Sequence, residues 1–134
     1  MAESINLFTS ENSKDSAPQE VRVLVDGTVI ATAKMHYYPK PFPLFEVTLS
    51  VGLEYQGRGY GKKALKFVQQ YLEENNKAGI LVDGIDPSSP AHGMYVRNGW
   101  QIIGPDNFLA FNLPKGTRPN DLKDFFEQGM YADN

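Results

Sequence analysis

The stretch EYQGRGYGKKALKF, residues 54–67, places three glycines immediately before an amphipathic segment. The apolar residues that follow recur at the i, i+3, i+4, i+7 spacing of a helix with one wide apolar face, and they are Ala64, Leu65, Phe67, Val68, Tyr71 and Leu72. Three lysines stand in the first turns and two glutamates at the end, the reverse of what the helix dipole favours. The stretch therefore predicts a helix that begins at a glycine loop, with charges placed for something other than helix stability.

A glycine-rich turn that leads into a helix is suited to bind an anion, because unpaired backbone N–H groups and the helix dipole converge there. The loop does not match the nucleotide-binding P-loop, since Gly57 to Gly61 is one residue too short for GxxxxGK[ST] and Lys63 follows Lys62 where that motif has Ser or Thr. It does not match the dinucleotide fingerprint GxGxxG either, which requires glycine at position 62. Both nucleotide-binding classes are disfavoured.

Length and composition are those of one globular domain. The chain has 134 residues, of which 41% are apolar and 22% charged, enough for a single core of its own. We expect one domain over residues 1–134, with residues 1–19 partly mobile. No apolar run approaches the roughly 20 residues of a membrane-spanning helix, and the amino end lacks the basic and apolar regions of a secretion signal. The sequence therefore predicts a cytoplasmic protein that does not associate with membranes.

Several chemistries are disfavoured by what the sequence lacks. It has no cysteine, which removes disulfides, thiolate nucleophiles and cysteine-ligated metals. Its two histidines have no partner at metal-ligand spacing, so we expect no metal site. The formal charge is −3, and no basic stripe with interleaved aromatic residues occurs, so we expect no nucleic-acid partner.

Strand-forming residues dominate the first half of the chain. Two such runs flank Asp26-Gly27, a pair that suits a tight type I′ turn and predicts a hairpin. A further strand is expected at Leu44 to Val51, after a loop whose prolines cannot donate ladder hydrogen bonds. A short strand at Ile5 to Phe8 precedes a polar segment at residues 9–19, which we expect to be a loop or mobile.

A short apolar run, GILVDGI at residues 79–85, predicts a buried strand after the long helix. A strand, a helix and a strand in that order form a crossover unit, which pairs its two strands in parallel. Next, Ser89 as N-cap, Pro90 as first helical residue and Gly99 beyond the end predict a short helix at about residues 90–98.

Two strands around a Pro-Asp-Asn turn at residues 105–107 are expected to follow that helix. A final short helix, capped by Asn120 and closed by Gly129, is predicted at the carboxyl end, so that residues 120–134 form a helix and tail.

Two motifs resemble those of the GNAT-type N-acetyltransferases. The segment Gln56-Gly57-Arg58-Gly59-Tyr60-Gly61 is similar to the family's pyrophosphate loop, Gln/Arg-x-x-Gly-x-Gly/Ala. The segment AHGMYVRNGW, residues 91–100, resembles its second acyl-CoA motif, with Tyr95 on a short helix and Gly99-Trp100 as the Gly-aromatic pair. The resemblance covers about residues 20–113. It implies a mixed α/β (α+β) fold with a mostly antiparallel sheet, a parallel strand pair at the acyl-CoA site, and flanking helices.

The resemblance implies that the backbone N–H groups of about residues 57–62 wrap the diphosphate of coenzyme A, with Arg58 and Lys62 adding positive potential. The coenzyme-contacting residues it implies are Ser50, Val51, Gln56, Gly57, Arg58, Gly59, Tyr60, Gly61, Lys62 and Ser88. Ser88 stands where the family often has asparagine, and capping the following helix is the simpler role for it. The lysines could equally be solubilising residues on a helix face.

The resemblance also implies an activity: transfer of the acetyl group of acetyl-CoA to an amine by direct attack. A backbone N–H near Val51 would polarise the thioester, and Tyr95 would supply a proton to the departing thiolate. Glu46 is the candidate general base by analogy. The alternatives are a packed aromatic residue for Tyr95 and an exposed strand glutamate for Glu46. Without cysteine, no cysteine-linked acyl intermediate can form.

The amino end departs from the family pattern, in which a strand and two helices precede the region that begins here near Glu20. We expect the acceptor site to be open, completed by a partner subunit, or lost. The segment at residues 122–134 is rich in apolar residues and is expected to cover the bare face or to form a homodimer contact. An acyl-CoA-binding regulator with weak catalysis and an interaction protein without ligand are the competing functions.

Overall fold

Seven strands form one sheet in the computed structural model, which describes residues 2–9, 18–39, 42–81, 87–103 and 108–122. The elements are β1 (Glu3–Thr9), β2 (Pro18–Val25), β3 (Thr28–Tyr38), β4 (Leu44–Val51), α1 (Tyr60–Glu74), β5 (Ala78–Leu81), α2 (Pro90–Arg97), β6 (Gln101–Ile103) and β7 (Phe108–Phe111), with 3-10 turns at Leu53–Tyr55 and Pro119–Leu122. The strand order is β1-β2-β3-β4-β5-β7-β6. Only β4 and β5 pair in parallel, and the other described pairs are antiparallel. The predicted mixed fold is confirmed.

The hairpin predicted around Asp26-Gly27 is confirmed. Both residues have positive φ, 51° for Asp26 and 83° for Gly27, as a type I′ turn requires. Strand β4 spans the residues predicted for it, whereas β1 extends beyond the expected Ile5 to Phe8 because it pairs with β2 along its whole length. Of the polar segment at residues 9–19, the two ends belong to β1 and β2, and residues 10–17 lie outside the described residues.

Helix α1 packs its apolar stripe on one face of the sheet. Its buried members Ala64, Leu65, Val68 and Leu72 join a core with side chains of β2, β3 and β4. Phe67 and Tyr71 complete the predicted stripe but are only partly buried. The helix thus fixes its own beginning, and the glycine loop before it, beside the end of β4.

The short helix α2 starts as predicted. The Ser89 hydroxyl oxygen accepts a hydrogen bond from the N–H of Ala91 at 3.1 Å, and Pro90 is the first helical residue. The helix ends at Arg97, one residue earlier than expected, and Gly99 follows with φ 99°. This positive φ lets the chain turn sharply into Trp100 and the last two strands.

A second cluster of buried apolar side chains is formed by Leu44, Ala78, Ile80 and Leu122. Leu122 closes the turn Pro119–Leu122, in which Asp121 accepts a hydrogen bond from the N–H of Arg118 at 2.7 Å. Asn120 lies within this 3-10 turn. The rest of the helix predicted after it, the closure at Gly129 and the turn at residues 105–107 lie outside the described residues. The first residue of the apolar carboxyl segment, Leu122, is buried with side chains of the sheet.

Candidate functional site

An open cleft of about 620 Å³ lies between the beginning of α1 and one side of α2. The described residues that line it are Leu49, Val51, Tyr55, Gln56, Gly57, Gly59, Tyr60, Gly61, Lys62, Pro90, Ala91, Met94, Tyr95 and Arg97. The two motifs singled out in the sequence therefore meet across one cleft, although 34 residues separate Gly61 from Tyr95.

The glycine loop leaves backbone donors at the start of α1. Gly57 and Gly59 have φ of 80° and 86°, a region that glycine enters without a steric penalty. Gly59 is the N-cap and offers no side chain to cap the helix, and the first intrahelical bond runs from the N–H of Lys63 to the Gly59 carbonyl at 3.1 Å. The N–H groups of residues 60–62 consequently have no acceptor inside the helix. Together with the helix dipole they form a site for an anion.

The edge of β4 on the side of β5 borders the cleft. The N–H of Gly52 donates to Ile30 on β3 at 2.9 Å, and the Pro43 carbonyl accepts from Ala78 on β5 at 3.2 Å. Because backbone groups alternate in direction along a strand, the backbone groups of the odd-numbered residues of β4 point toward the side of β5. The described pairing between β4 and β5 covers residues 44–46 of β4. Leu49 and Val51 lie farther along the strand and line the cleft, and their N–H groups point toward this same edge.

Gln56 ties the loop to this strand edge. Its side-chain Nε2 donates a hydrogen bond to the Val51 carbonyl oxygen at 3.2 Å. The Val51 carbonyl thus accepts a hydrogen bond from a side chain of the glycine loop. Gly61 adds a close contact between α1 and β4, since a Cβ at that position would lie 3.1 Å from Cγ2 of Val51.

Tyr95 carries the one strongly perturbed phenol among the described residues. Its side chain is 3% exposed, and its ring meets that of Trp100 edge to face at a centroid distance of 5.5 Å. Burial raises the pKa of Tyr95 to about 12. The hydroxyl group consequently remains protonated at neutral pH and acts as a hydrogen-bond donor beside the cleft.

The two walls of the cleft are joined by a glutamine that sequence reasoning missed. Gln69 of α1 accepts a hydrogen bond from Nε1 of Trp100 at 3.0 Å, and its own Nε2 donates to the Asn98 carbonyl at 2.9 Å. Its amide is therefore shared between the indole and the end of α2. The available signal was a glutamine four residues after Leu65, within the apolar stripe of α1.

The charge in the cleft is positive. Lys62 stands on the α1 wall and Arg97 on the α2 wall, and none of the described lining residues is a carboxylate. Arg97 was not predicted, and its only sequence signal is its place two residues after Tyr95. Arg58 lies outside the described lining, with its guanidinium 5.8 Å from the centre of the Tyr55 ring.

Three further predicted residues are not among the described lining residues. Glu46 and Ser50 alternate with the residues of β4 that pack against α1, which puts their side chains on the opposite face of the sheet. Glu46 is paired across the strands with His36 and with Ile80. Ser88 is exposed, and its neighbour Ser89 provides the helix cap. The cleft brings together the other predicted residues, namely Val51, Gln56, Gly57, Gly59, Tyr60, Gly61, Lys62 and Tyr95.

The described residues contain neither a cluster of metal ligands nor a membrane-spanning helix. Within the described ranges, no three residues among His, Cys, Asp and Glu are grouped as metal ligands would be. No helix in that part of the chain is both long enough and apolar enough to cross a lipid bilayer.

Several solved structures have a similar architecture. The ribosomal-protein-S18-alanine N-acetyltransferase of Escherichia coli has a TM-score of 0.59 at 11% identity, over 87% of this chain and 99% of that one. A GNAT family acetyltransferase of Elizabethkingia anophelis with acetyl-CoA bound has a TM-score of 0.60 at 16% identity, over 83% and 98%. An Arabidopsis thaliana protein in complex with the bisubstrate analogue CoA-Ac-MVNAL has a TM-score of 0.60 at 15% identity.

 

In that complex the match covers 82% of this chain and 97% of the Arabidopsis chain. At these identities the likeness establishes the fold. No curated protein matches the sequence closely enough to count as a relative. The family model described as "Acetyltransferase (GNAT) family" matches residues 3–100, which is most of the chain. The glycine loop and the buried tyrosine of the two predicted motifs lie at one cleft, and the family match covers both motifs, so the protein belongs to the GNAT acetyltransferase family.

Proposed function

We propose that the protein is an N-acetyltransferase that moves an acetyl group from acetyl-CoA to an amine acceptor by direct attack. The observation that carries the proposal is the meeting of three features in one cleft: backbone donors at the start of α1, the carboxyl end of β4, and the hydroxyl-bearing Tyr95. A polyanionic, elongated donor with a thioester at its end matches all three.

The donor is bound along the cleft. Its diphosphate accepts hydrogen bonds from the N–H groups of residues 60–62, and Lys62 contributes positive charge. The pantetheine arm is about as long as four extended residues, roughly 14 Å. Laid along β4 from its carboxyl end, the arm accepts hydrogen bonds from the N–H groups of Val51 and Leu49, two residues that line the cleft.

The chemistry balances without a covalent enzyme intermediate. The neutral amine attacks the thioester carbonyl carbon, a C–N bond forms and the C–S bond breaks. The amine loses one proton and the departing thiolate gains one, so the protons balance. A backbone N–H on the β4 edge polarises the carbonyl. Tyr95, with its pKa raised to about 12, is a weaker acid than a thiol of pKa ~8.5, so full proton transfer from it costs roughly 5 kcal/mol. Tyr95 therefore stabilises the developing thiolate mainly as a hydrogen-bond donor.

The acceptor approaches from the other face of the sheet. Glu46 lies on that face, and its described neighbours across the strands are His36 on β3 and Ile80 on β5. We propose Glu46 as the group that accepts the amine proton.

The test measures release of coenzyme A with a panel of amines: a polyamine, free lysine, peptides with free amino ends, and an arylamine. A thiol reagent reports the reaction without background, because the protein has no cysteine. Mass spectrometry of the acceptor identifies the acetylated amine. Binding of acetyl-CoA by calorimetry without turnover of any amine would favour the alternative of an acyl-CoA-binding regulator, and absence of binding would overturn both functions.

A further inference from the structure

We propose that Arg97, folded back along α2 over Gly93, binds the 3′-phosphate of coenzyme A and makes the cleft selective for the 3′-phosphorylated carrier. This inference rests on the proposed function, since it concerns the same cleft. It names the residue that distinguishes coenzyme A from its dephosphorylated form.

The first observation is the position of the guanidinium group. A Cβ placed on Gly93 would lie 2.9 Å from Nη1 of Arg97, too close for any side chain to fit without displacing it. A glycine inside a helix is unfavourable relative to alanine, so its presence at this position calls for a local reason. Gly93 provides the space in which the guanidinium group of Arg97 lies back along the helix, although the residue remains exposed to solvent.

The second observation is the separation of charge across the cleft. The α1 wall has its own donors for one anion in the N–H groups of residues 60–62 and in Lys62. Arg97 lines the opposite wall. A ligand that uses both walls carries two anionic groups, and coenzyme A has two, the diphosphate and the 3′-phosphate. A guanidinium fork matches the oxygens of a terminal phosphate in a bidentate way.

Arg97 has a competing structural role, because a cation in the last turn of α2 also interacts favourably with the helix dipole. The two roles differ in what they predict. A helix-stabilising charge affects the stability of the ligand-free protein and is indifferent to which ligand is added. A phosphate-binding charge discriminates between two ligands that differ by one phosphate.

The experiment measures the affinity of the whole protein for coenzyme A and for 3′-dephospho-coenzyme A by calorimetry. The wild-type protein is expected to bind coenzyme A about tenfold more tightly. The variant Arg97→Gln should weaken coenzyme A binding to the level of the dephospho form and leave dephospho binding unchanged. Arg97→Lys, which keeps the charge but not the fork, should retain only part of the discrimination.

Two further variants test the position of the guanidinium group and the effect of removing a positive charge elsewhere. Gly93→Ala should displace the guanidinium and reduce the discrimination, while raising the Tm of the ligand-free protein by about 2–5 °C through its better helix propensity. Lys115→Gln is the matched control, because it removes one positive charge outside the lining of this cleft and should alter neither affinity.

The possible results test the role of Arg97 and the proposed function separately. Equal weakening of both ligands by Arg97→Gln would assign Arg97 to the diphosphate and overturn the proposal, as would unchanged binding of both. Wild-type protein that binds both ligands equally would overturn the selectivity while leaving the proposed function intact. Wild-type protein that binds neither ligand would overturn the proposed function itself.

Discussion

The side-chain amide of Gln56 donates a hydrogen bond to the carbonyl oxygen of Val51 at 3.2 Å, and thereby ties the glycine loop to the end of β4. Val51 is one of the odd-numbered residues of β4, whose carbonyl and N–H groups point toward the edge on which β5 pairs. The hydrogen bond from Gln56 thus fixes the loop relative to this edge of β4, beside the cleft that both residues line.

Replacing Gln56 with leucine should weaken acetyl-CoA binding by about threefold to tenfold, because the loop and the strand edge lose a hydrogen bond that holds their relative position. Calorimetric titration measures the change in Kd. The control is Gln70→Leu, which removes a glutamine of α1 that bonds to Glu74 at 3.0 Å. Equal Kd values for the two variants would contradict the positioning role of Gln56.

Replacing Gly59 with alanine should cost about 1–2 kcal/mol in the free energy of unfolding, since its φ of 86° is strained for any residue with a Cβ. No heavy atom lies within 4 Å of the added Cβ, so the cost comes from the backbone. Gly27→Ala is a matched control with φ 83° and similar open space. Urea unfolding should show comparable losses for both, whereas only Gly59→Ala should weaken acetyl-CoA binding. Loss of binding in both variants would point to a global effect.

Replacing Tyr95 with phenylalanine should lower kcat by about two orders of magnitude, because the departing sulfur loses its hydrogen-bond donor. The Kd for acetyl-CoA should stay nearly unchanged, since the ring and its contact with Trp100 are retained. Steady-state kinetics with the acceptor found in the amine panel, together with calorimetry, separate the two effects. An unchanged kcat would remove Tyr95 from the mechanism.

Burial of Tyr95 should make the protein sensitive to alkaline pH. Its pKa is raised from 10.0 to about 12 in the folded state, so between these values the unfolded chain has released a proton that the folded chain retains. The contribution to stability is complete below pH ~10 and is lost as pH rises toward ~12, by at most about 2.7 kcal/mol. Urea unfolding across this range should show a steeper decline for the wild-type protein than for Tyr95→Phe. Parallel declines would contradict the raised pKa.

Replacing Trp100 with phenylalanine should destabilise the protein by about 2–3 kcal/mol, because the buried Oε1 of Gln69 loses its donor. Adding Gln69→Leu to that variant should recover part of the loss, since two apolar side chains leave no unsatisfied group between them. Urea unfolding of the single and double variants measures the coupling. Strictly additive losses would show that the indole and the amide do not act as a pair.

Local signals in the sequence were sufficient to predict several elements of the fold. The Asp26-Gly27 turn, the Ser89 cap and the apolar stripe of α1 each depend on residues close together in the chain, and each is found where it was predicted. The 3-10 turn Pro119–Leu122 was not predicted. Its hydrogen bond from the N–H of Arg118 to Asp121 is local, but its position on the sheet depends on the burial of Leu122 with Leu44 and Ile80, which lie far away in the chain.

Part of the candidate site was likewise predictable from local motifs, and part depends on tertiary contacts. The glycine loop and Tyr95 were identifiable from two short motifs, because phosphate binding at a helix start and a tyrosine before a Gly-aromatic pair leave a local pattern. Gln69 and Arg97 were not, since a glutamine in a helix and a basic residue near a helix end are common for many reasons. Their roles depend on side chains that approach from distant parts of the chain.

By itself, the sequence determined the order of the elements, the glycine loop before α1 and the parallel crossover from β4 to β5, because helix periodicity, capping and turn chemistry act over a few residues. Only the tertiary structure decided that Gln56 donates to the Val51 carbonyl, that Gln69 joins Trp100 to the end of α2, and that Arg97 and Lys62 line the same cleft. Those relationships arise from packing and from pairing across the sheet, where the free energy depends on which distant residues come into contact.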